Sequence, residues 1–169
     1  MKKTILIFAM LTFCFSTVSI AQSDVVDVAM SSKDHTTLVA AVKAADLVNT
    51  LKGEGPFTVF APTNTAFDAL PSGTLESLLK PEAKSKLSAI LTYHVVAGNF
   101  KAADVVAAIK QGGGKFAIKT VNGGTLVASL EGDNVIITDA NGNVATVTAT
   151  DLKASNGVVH VIDSVVLPK

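Results

Sequence analysis

Three histidines are the residues best able to do acid–base or metal chemistry in this chain of 169 residues. His35, His94 and His160 lie far apart, and none has a second metal ligand two or four positions further on. A three-histidine metal site stays open as an alternative, although no ligand spacing supports it. His35 follows an acidic residue at a predicted helix start. His160 lies in an apolar strand, where we expect it to be half-buried and hydrogen-bonded to the backbone.

Tyr93 and His94 form an adjacent pair at the end of a predicted helix. Both side chains have an apolar body and a polar tip, and a cation at this position would meet the negative end of the helix dipole. Two interpretations are open. The pair could be structural, with its polar tips satisfying a chain reversal at residues 95–98, or it could contact a partner.

Catalytic motifs are missing from the sequence. There is no Gly-x-Ser-x-Gly elbow and no paired-histidine metalloprotease motif, and the Gly-Gly-Gly-Lys run at residues 112–115 lacks the hydroxyl residue of a phosphate loop. A hydrolase could pair His94 or His160 with Asp151 or Asp163. However, Asp163 is three residues from His160, which places the two on opposite faces of a strand. We therefore predict a non-enzymatic protein that needs no cofactor.

One short acidic segment resembles the start of a calcium loop. Asp139, Asn141 and Asn143 place oxygen atoms at its first, third and fifth positions. Val144 then stands where glycine is needed, and Thr150 stands where the loop ends in glutamate. Asn and Gly tolerate the positive φ angles of a tight turn, so the segment predicts a hairpin turn and no metal site.

The composition excludes several classes of protein. Lys and Arg together number 14, as do Asp and Glu, and every one of these cations is Lys. A nucleic-acid-binding protein normally has a basic face and uses Arg to read guanine and phosphate, so we expect no nucleic-acid partner. The chain has one Cys, which excludes an internal disulfide and a cysteine zinc site.

The first 21 residues have the pattern of a secretory signal peptide. Two lysines precede an apolar run, and small residues follow at the positions that a signal peptidase reads, which predicts cleavage after Ala21. An uncleaved anchor and lipidation at Cys14 are alternatives, but the run is short for a bilayer span and Phe13 precedes the cysteine. We expect residues 22–169 to form one domain without a membrane span, in the periplasm or secreted.

Helical patterns fill the first half of this domain, and strand patterns fill the second. Apart from one buried strand at residues 57–61, the first half shows helical spacing at residues 36–51, 63–70, 81–94 and 102–109. Five strands separated by Gly and Asn turns are predicted at residues 115–121, 125–130, 135–138, 143–150 and 158–167. This order indicates an α+β fold with an antiparallel sheet.

Three segments resemble the signature blocks of the fasciclin domain family. Phe-Thr-Val-Phe-Ala-Pro-Thr-Asn-Thr-Ala-Phe at residues 57–67 is similar to the first block. Asn-Gly-Val-Val-His-Val-Ile-Asp at residues 156–163, with Val-Leu-Pro at 166–168, is similar to the second. Leu-Thr-Tyr-His-Val-Val at residues 91–96 resembles the Tyr-His segment between them. Order and separation match over the whole predicted domain.

The resemblance implies a twisted β-sandwich or wedge edged by helices. It also implies an exported, bacterial-type adhesion protein that binds a protein at the cell surface or in the matrix, with Tyr93 and His94 as the binding residues. A second possible contact is strand addition at an unpaired edge formed by residues 143–150. The alternative is a carrier of a small apolar ligand, because a core rich in Val and Ala could leave a pocket. The oligomeric state stays open.

Overall fold

The structure is a computed structural model that describes residues 23–169, so the predicted signal peptide lies outside the described residues. Up to residue 111 this range is mainly helical, with two strands among the helices. The α-helices are α1 (Val25–Ser31), α2 (Thr36–Ala44), α3 (Val48–Leu51), α4 (Asn64–Asp68), α5 (Thr74–Leu78), α6 (Lys84–Tyr93) and α7 (Ala102–Gln111). Short 3-10 turns at Lys33–His35 and Pro81–Ala83 precede α2 and α6.

Seven strands form one sheet in the order β2-β1-β7-β6-β5-β4-β3. They are β1 (Phe57–Pro62), β2 (Val95–Ala97), β3 (Lys115–Lys119), β4 (Thr125–Glu131), β5 (Asn134–Thr138), β6 (Val144–Ala154) and β7 (Gly157–Ile162). All neighbours are antiparallel except β1 and β7, which run parallel from Phe57 opposite Gly157 to Pro62 opposite Ile162. The sheet curves until its outer strands meet, where Val121 N–H donates to Val95 O at 2.8 Å.

The α+β fold class is confirmed, with helices mainly in the N-terminal half and antiparallel strands in the C-terminal half. Several details differ from the prediction. Residues 95–97 form β2 instead of a chain reversal, α1 and α5 have no predicted counterpart, and β7 ends at Ile162. Residues 143–150 are not at the edge of the sheet as predicted, because β6 lies between two strands: residues 144–146 pair with β5, and residues from 147 onward pair with β7.

Two apolar clusters fill the molecule on opposite faces of the sheet. The helices α1, α2 and α6 cover the first cluster, while the second lies inside the curved sheet beneath α7. Strand β1 contributes to both, because Val59 and Ala61 face the first cluster and Phe60 faces the second. A strand buried on both faces reads as a continuous apolar run, which is why β1 could be recognised in the sequence.

The close pairing of β1 with β7 depends on glycine. A Cβ atom on Gly157 would collide with the carbonyl oxygen of Phe57, and one on Gly55 would collide with the carbonyl oxygen of Asn156. Only glycine lets the two backbones approach this closely. The glycines thereby fix the start of both strands against the segment that follows α3.

Helix α6 brings Tyr93 and His94 into the interior. The predicted apolar stripe is present, with Leu87, Ile90 and Leu91 buried against the first cluster. Tyr93 is the last residue of the helix, His94 is its C-cap, and the chain then enters β2. Because the helix ends inside the fold, its last polar side chains need partners there.

Candidate binding site

Tyr93 lies entirely within the second apolar cluster, with 0% of its surface exposed. Its hydroxyl donates to Thr125 O at 2.8 Å and accepts from Ala140 N–H at 3.1 Å. These bonds join the end of α6 to the start of β4 and to the turn between β5 and β6. Burial raises the pKa of the Tyr93 phenol, so the hydroxyl stays neutral and keeps both hydrogen bonds at neutral pH.

His94 is 2% exposed, and both of its ring nitrogens meet backbone groups. Nδ1 lies 2.8 Å from Ile90 O, and Nε2 accepts from Val166 N–H at 3.2 Å. These partners assign the proton of the neutral ring to Nδ1, since only a protonated nitrogen can donate to a carbonyl oxygen. Burial lowers the pKa of His94 to about 4, so the ring is uncharged at neutral pH.

Asp139 completes the cluster from the turn between β5 and β6. One carboxylate oxygen accepts from Asn141 N–H at 2.8 Å and from Asn143 N–H at 2.9 Å. The other accepts from the Asn143 side chain at 2.8 Å and from Leu167 N–H at 2.9 Å. Burial alone would raise the pKa of Asp139, but these hydrogen bonds outweigh it and hold the pKa below its usual value.

The predicted hairpin turn is therefore present at residues 139–143, and the carboxylate of Asp139 accepts hydrogen bonds from backbone N–H groups. Within residues 23–169 there is also no group of three His, Cys, Asp or Glu side chains that could hold a metal ion. We call Tyr93, His94 and Asp139 the helix-end hub. It joins α6, the β5–β6 turn and the C-terminal segment that follows β7.

The hub gives the Tyr93–His94 pair a structural role, which is one of the two interpretations of the sequence. Every polar atom of the two side chains is hydrogen-bonded to the backbone, and neither side chain has an exposed face. Their part in partner binding stays a prediction.

A second set of buried polar groups holds the loop between β2 and α7. Thr58 Oγ1 donates to Gly98 O at 2.7 Å and accepts from Phe100 N–H at 2.9 Å. His160 Nε2 lies 2.8 Å from Phe100 O. Both backbone groups of Phe100 are thus fixed by side chains from the neighbouring strands β1 and β7.

Asp151 extends this set to the start of α7. Its carboxylate accepts from Ala102 N–H at 3.0 Å, and its own N–H donates to His160 Nδ1 at 3.3 Å. The backbone partners predicted for His160 are confirmed, but the side chain is fully buried and not half-buried, and its ring stacks on Phe60 with centroids 5.8 Å apart. We call Thr58, Asp151 and His160 the loop clamp.

Sequence reasoning did not find the loop clamp. Thr58 carries the one hydroxyl inside a strand that is otherwise apolar, and such a buried hydroxyl needs a partner. That signal was present, but it could not name the loop that supplies the partner. Asp151 was considered only as a possible catalytic carboxylate.

The histidines and carboxylates do not assemble into the hydrolase arrangement considered above. Asp151 offers His160 a backbone N–H, while its carboxylate binds the start of α7. Asp163 follows β7 and accepts from Thr146 N–H at 2.7 Å. His35 is buried in the turn before α2, where Nδ1 lies 2.8 Å from Ser32 Oγ, and burial lowers the pKa of its ring.

An apolar cavity lies between α1, α2 and the sheet. Its volume is about 30 Å³, which is room for about two water molecules. Nearly all its lining side chains are aliphatic, including Val26, Leu38 and Leu91, and His94 also lines it. A carrier of a small apolar ligand would need this space to be enlarged, because sites for such ligands are typically about 300–1,000 Å³.

The fold and the two polar clusters define a class of protein: an α+β domain whose buried polar side chains brace loops and turns. A family model described as "Fasciclin domain" matches residues 33–168. The chain belongs to the fasciclin domain family, as its three sequence blocks indicated.

Relatives and solved structures agree with this assignment. Protein sll1483 of the cyanobacterium Synechocystis is 53% identical over 148 residues, covering 85% of this chain and 73% of that protein. Uncharacterized protein sll1735 of the same organism is 43% identical over 147 residues, covering 85% and 97%. A solved FAS1 domain pair from the insect cell adhesion molecule fasciclin I superposes with a TM-score of 0.60 at 24% identity, covering 77% of this chain and 43% of that one.

Proposed function

We propose that this chain is a non-enzymatic binding module whose partner is a protein at a cell surface or in the surrounding matrix. The observation that carries the proposal is the FAS1 fold, which the chain shares with an insect cell adhesion molecule. Adhesion needs a stable, shaped surface and no reacting group. The two polar clusters described above support such a surface.

The state of the polar side chains favours binding over catalysis. A catalytic base needs a free lone pair within reach of a substrate. The lone pairs of His94 and His160 instead accept hydrogen bonds from Val166 N–H and Asp151 N–H. A survey of ester, phosphoester and glycoside substrates with the purified protein is expected to give no turnover.

We further propose that the protein is exported and acts in the periplasm or outside the cell. The support is the N-terminal pattern of two lysines, an apolar run and small residues before Gln22. No helix within residues 23–169 has the length and apolar character needed to cross a membrane. The mass of the exported protein is expected to match a chain that begins at Gln22.

In this proposal Tyr93 and His94 are positioning residues. They hold the start of β4, the β5–β6 turn and the C-terminal segment in place, and through these elements they keep the binding surface of the domain in shape. Replacing either side chain should weaken binding only as far as it loosens that surface.

The test is a crosslinking capture of partners from envelope and matrix extracts, with the exported protein as bait. The bait is compared with the variants Tyr93→Phe and His94→Gln, in which the new side chain has nearly the shape of the original one. Thermal melting checks that each variant is folded. Capture of one defined surface protein by the parent, reduced in step with the melting temperature of each variant, is the expected result. Capture of nothing by the parent would contradict the proposal, and native mass spectrometry would then look for an apolar ligand.

A further inference from the structure

An open groove crosses the surface where three segments meet. They are the loop at residues 98–101, the turn between β6 and β7, and the segment at residues 52–56. The groove consists of two adjoining hollows of about 560 and 440 Å³ that share Asn99, Ala154 and Gly157. It is separate from the helix-end hub, whose residues do not line it.

The walls of the groove are held by partly buried hydrogen bonds. The loop clamp fixes residues 98–101 from below. Asn156 ties the other two walls together: its amide donates to Leu51 O at 2.8 Å and to Gly53 O at 3.0 Å, and its oxygen accepts from Val25 N–H at 3.0 Å. A surface that is already ordered loses little conformational entropy on binding, so its contacts contribute more to affinity.

The charges in the groove favour an anionic ligand. Lys101 and Lys153 line the same hollow as Asp151, and neither lysine forms an ion pair within residues 23–169. The carboxylate of Asp151 is already bound to the start of α7. This hollow therefore presents two ammonium groups outside any ion pair and one carboxylate that is hydrogen-bonded to a backbone N–H, so its lining carries a net positive charge.

The other hollow is electrically more balanced. Lys52 is paired with Asp24 at 3.1 Å and with Asp27 at 2.8 Å, and Glu54 lies beside it. Its remaining lining is largely backbone and small polar groups, such as Asn99 and Ser155. This half suits the polar main chain of a ligand better than its charged groups.

We propose that this groove binds an acidic, extended segment of a partner protein. Carboxylates of the segment pair with Lys101 and Lys153, and its main chain continues past Asn99 into the more balanced hollow. A polysaccharide fits less well, because no aromatic ring lines either hollow to stack against a sugar. The inference rests on the proposed function and names the surface and the partner chemistry.

The experiment is a titration of the ¹⁵N-labelled, exported protein with a short peptide of alternating Glu and Ala, followed by NMR. A Gln–Ala peptide of the same length is the neutral control. Chemical-shift changes are expected at Asn99, Lys101 and Lys153 with the acidic peptide only, and they should weaken as salt is added. Equal changes with the Gln–Ala peptide, or changes spread evenly over all exposed lysines, would overturn the proposal.

A charge-reversal pair sharpens the test. Lys101→Glu with Lys153→Glu is expected to reduce affinity for the acidic peptide about tenfold or more, because two ion pairs become two repulsions. The matched control is Lys115→Glu with Lys119→Glu, which makes the same change of net charge on β3, outside the groove. Equal losses in both double variants would show a general charge effect and reject the groove.

Two further outcomes distinguish a failure of this inference from a failure of the proposed function. If the Lys101→Glu, Lys153→Glu protein still captures the surface partner as well as the parent does, the groove is wrong and the binding module stands. If the parent captures no partner, the proposed function fails whatever the peptide does. Tighter binding of an oligouronate than of the acidic peptide at the same residues would replace the protein partner with an anionic glycan.

Discussion

The helix-end hub and the loop clamp rely on the same kind of hydrogen bond but hold different parts of the structure. Each contains a buried histidine whose two nitrogens meet one carbonyl and one N–H of the backbone: Ile90 and Val166 for His94, and Phe100 and Asp151 for His160. The hub joins segments that pack together, and the histidine and tyrosine at its centre are hidden. The clamp holds a short loop that leads from buried groups to an exposed groove.

The exposure of the backbone that each cluster holds indicates where to look for function in a fold of this kind. A buried polar side chain with complete hydrogen bonds contributes cohesion, whichever sequence block it belongs to. What separates the two regions is the exposure of the backbone they hold. We therefore expect hub variants to lower stability strongly, and clamp variants to lower stability less while disturbing the groove.

The largest effect should follow loss of the whole Tyr93 side chain. Tyr93→Ala removes a large, fully buried ring and both of its hydrogen bonds, and we expect it to lower the free energy of unfolding by about 3–5 kcal/mol. Tyr93→Phe keeps the ring and leaves Thr125 O and Ala140 N–H without the hydroxyl, which should cost about 1–3 kcal/mol. Urea unfolding of the three proteins measures both changes. A smaller loss for Ala than for Phe would contradict the central place of the ring in the hub.

The next effect is a pH dependence that belongs to His94. Its pKa is about 4 in the folded protein and about 6.5 when unfolded, so the unfolded state binds more protons between these values. Stability contributed by the neutral ring is complete above pH 6.5 and is lost as the pH falls through the window to about 4. The separation of the two pKa values corresponds to about 3 kcal/mol.

His94→Gln is the control for this prediction. A glutamine can donate to Ile90 O and accept from Val166 N–H, but it does not titrate. His35, whose pKa is also lowered by burial, is present in both proteins, so the difference between them isolates His94. As the pH falls from 6.5 towards 4, the unfolding free energy of the parent should decrease by about 3 kcal/mol relative to that of His94→Gln. Parallel curves would show that the His94 ring is not held neutral by the fold.

Much of the hub could be predicted from the sequence because its signals are local. The spacing of Leu87, Ile90 and Leu91 defined α6 and placed Tyr93 and His94 at its end. Asp139 could be assigned to a turn because its partners at residues 141 and 143 are close in the chain. The bond from Leu167 N–H to Asp139 spans 28 residues, and no local pattern indicates it.

The clamp and the sheet order depend on contacts between distant segments. Thr58 meets Gly98, 40 residues away, and the parallel pairing of β1 with β7 joins residues about a hundred positions apart. Strand β2 has three residues, too few to show alternation, and it forms because β1 and Thr120 lie on either side of it. Packing of the two clusters selects these pairings, and a single sequence does not display that choice.

The smallest effect on stability is expected at Thr58. A change there tests most directly whether the loop clamp differs from the helix-end hub. Thr58→Val keeps the shape of the side chain and removes the hydroxyl that binds Gly98 O and Phe100 N–H. Because the loop borders the surface, water can replace part of the loss, and we expect a cost of about 1 kcal/mol. Amide hydrogen exchange at Phe100 should accelerate by more than this global loss explains, while exchange at Ala140 in the hub should follow the global change. Thr58→Ser retains the hydroxyl and loses only the methyl group, so it should leave the exchange at Phe100 close to that of the parent. Acceleration in Thr58→Ser without acceleration in Thr58→Val would mean that packing of the methyl group, and not the hydroxyl, holds the loop.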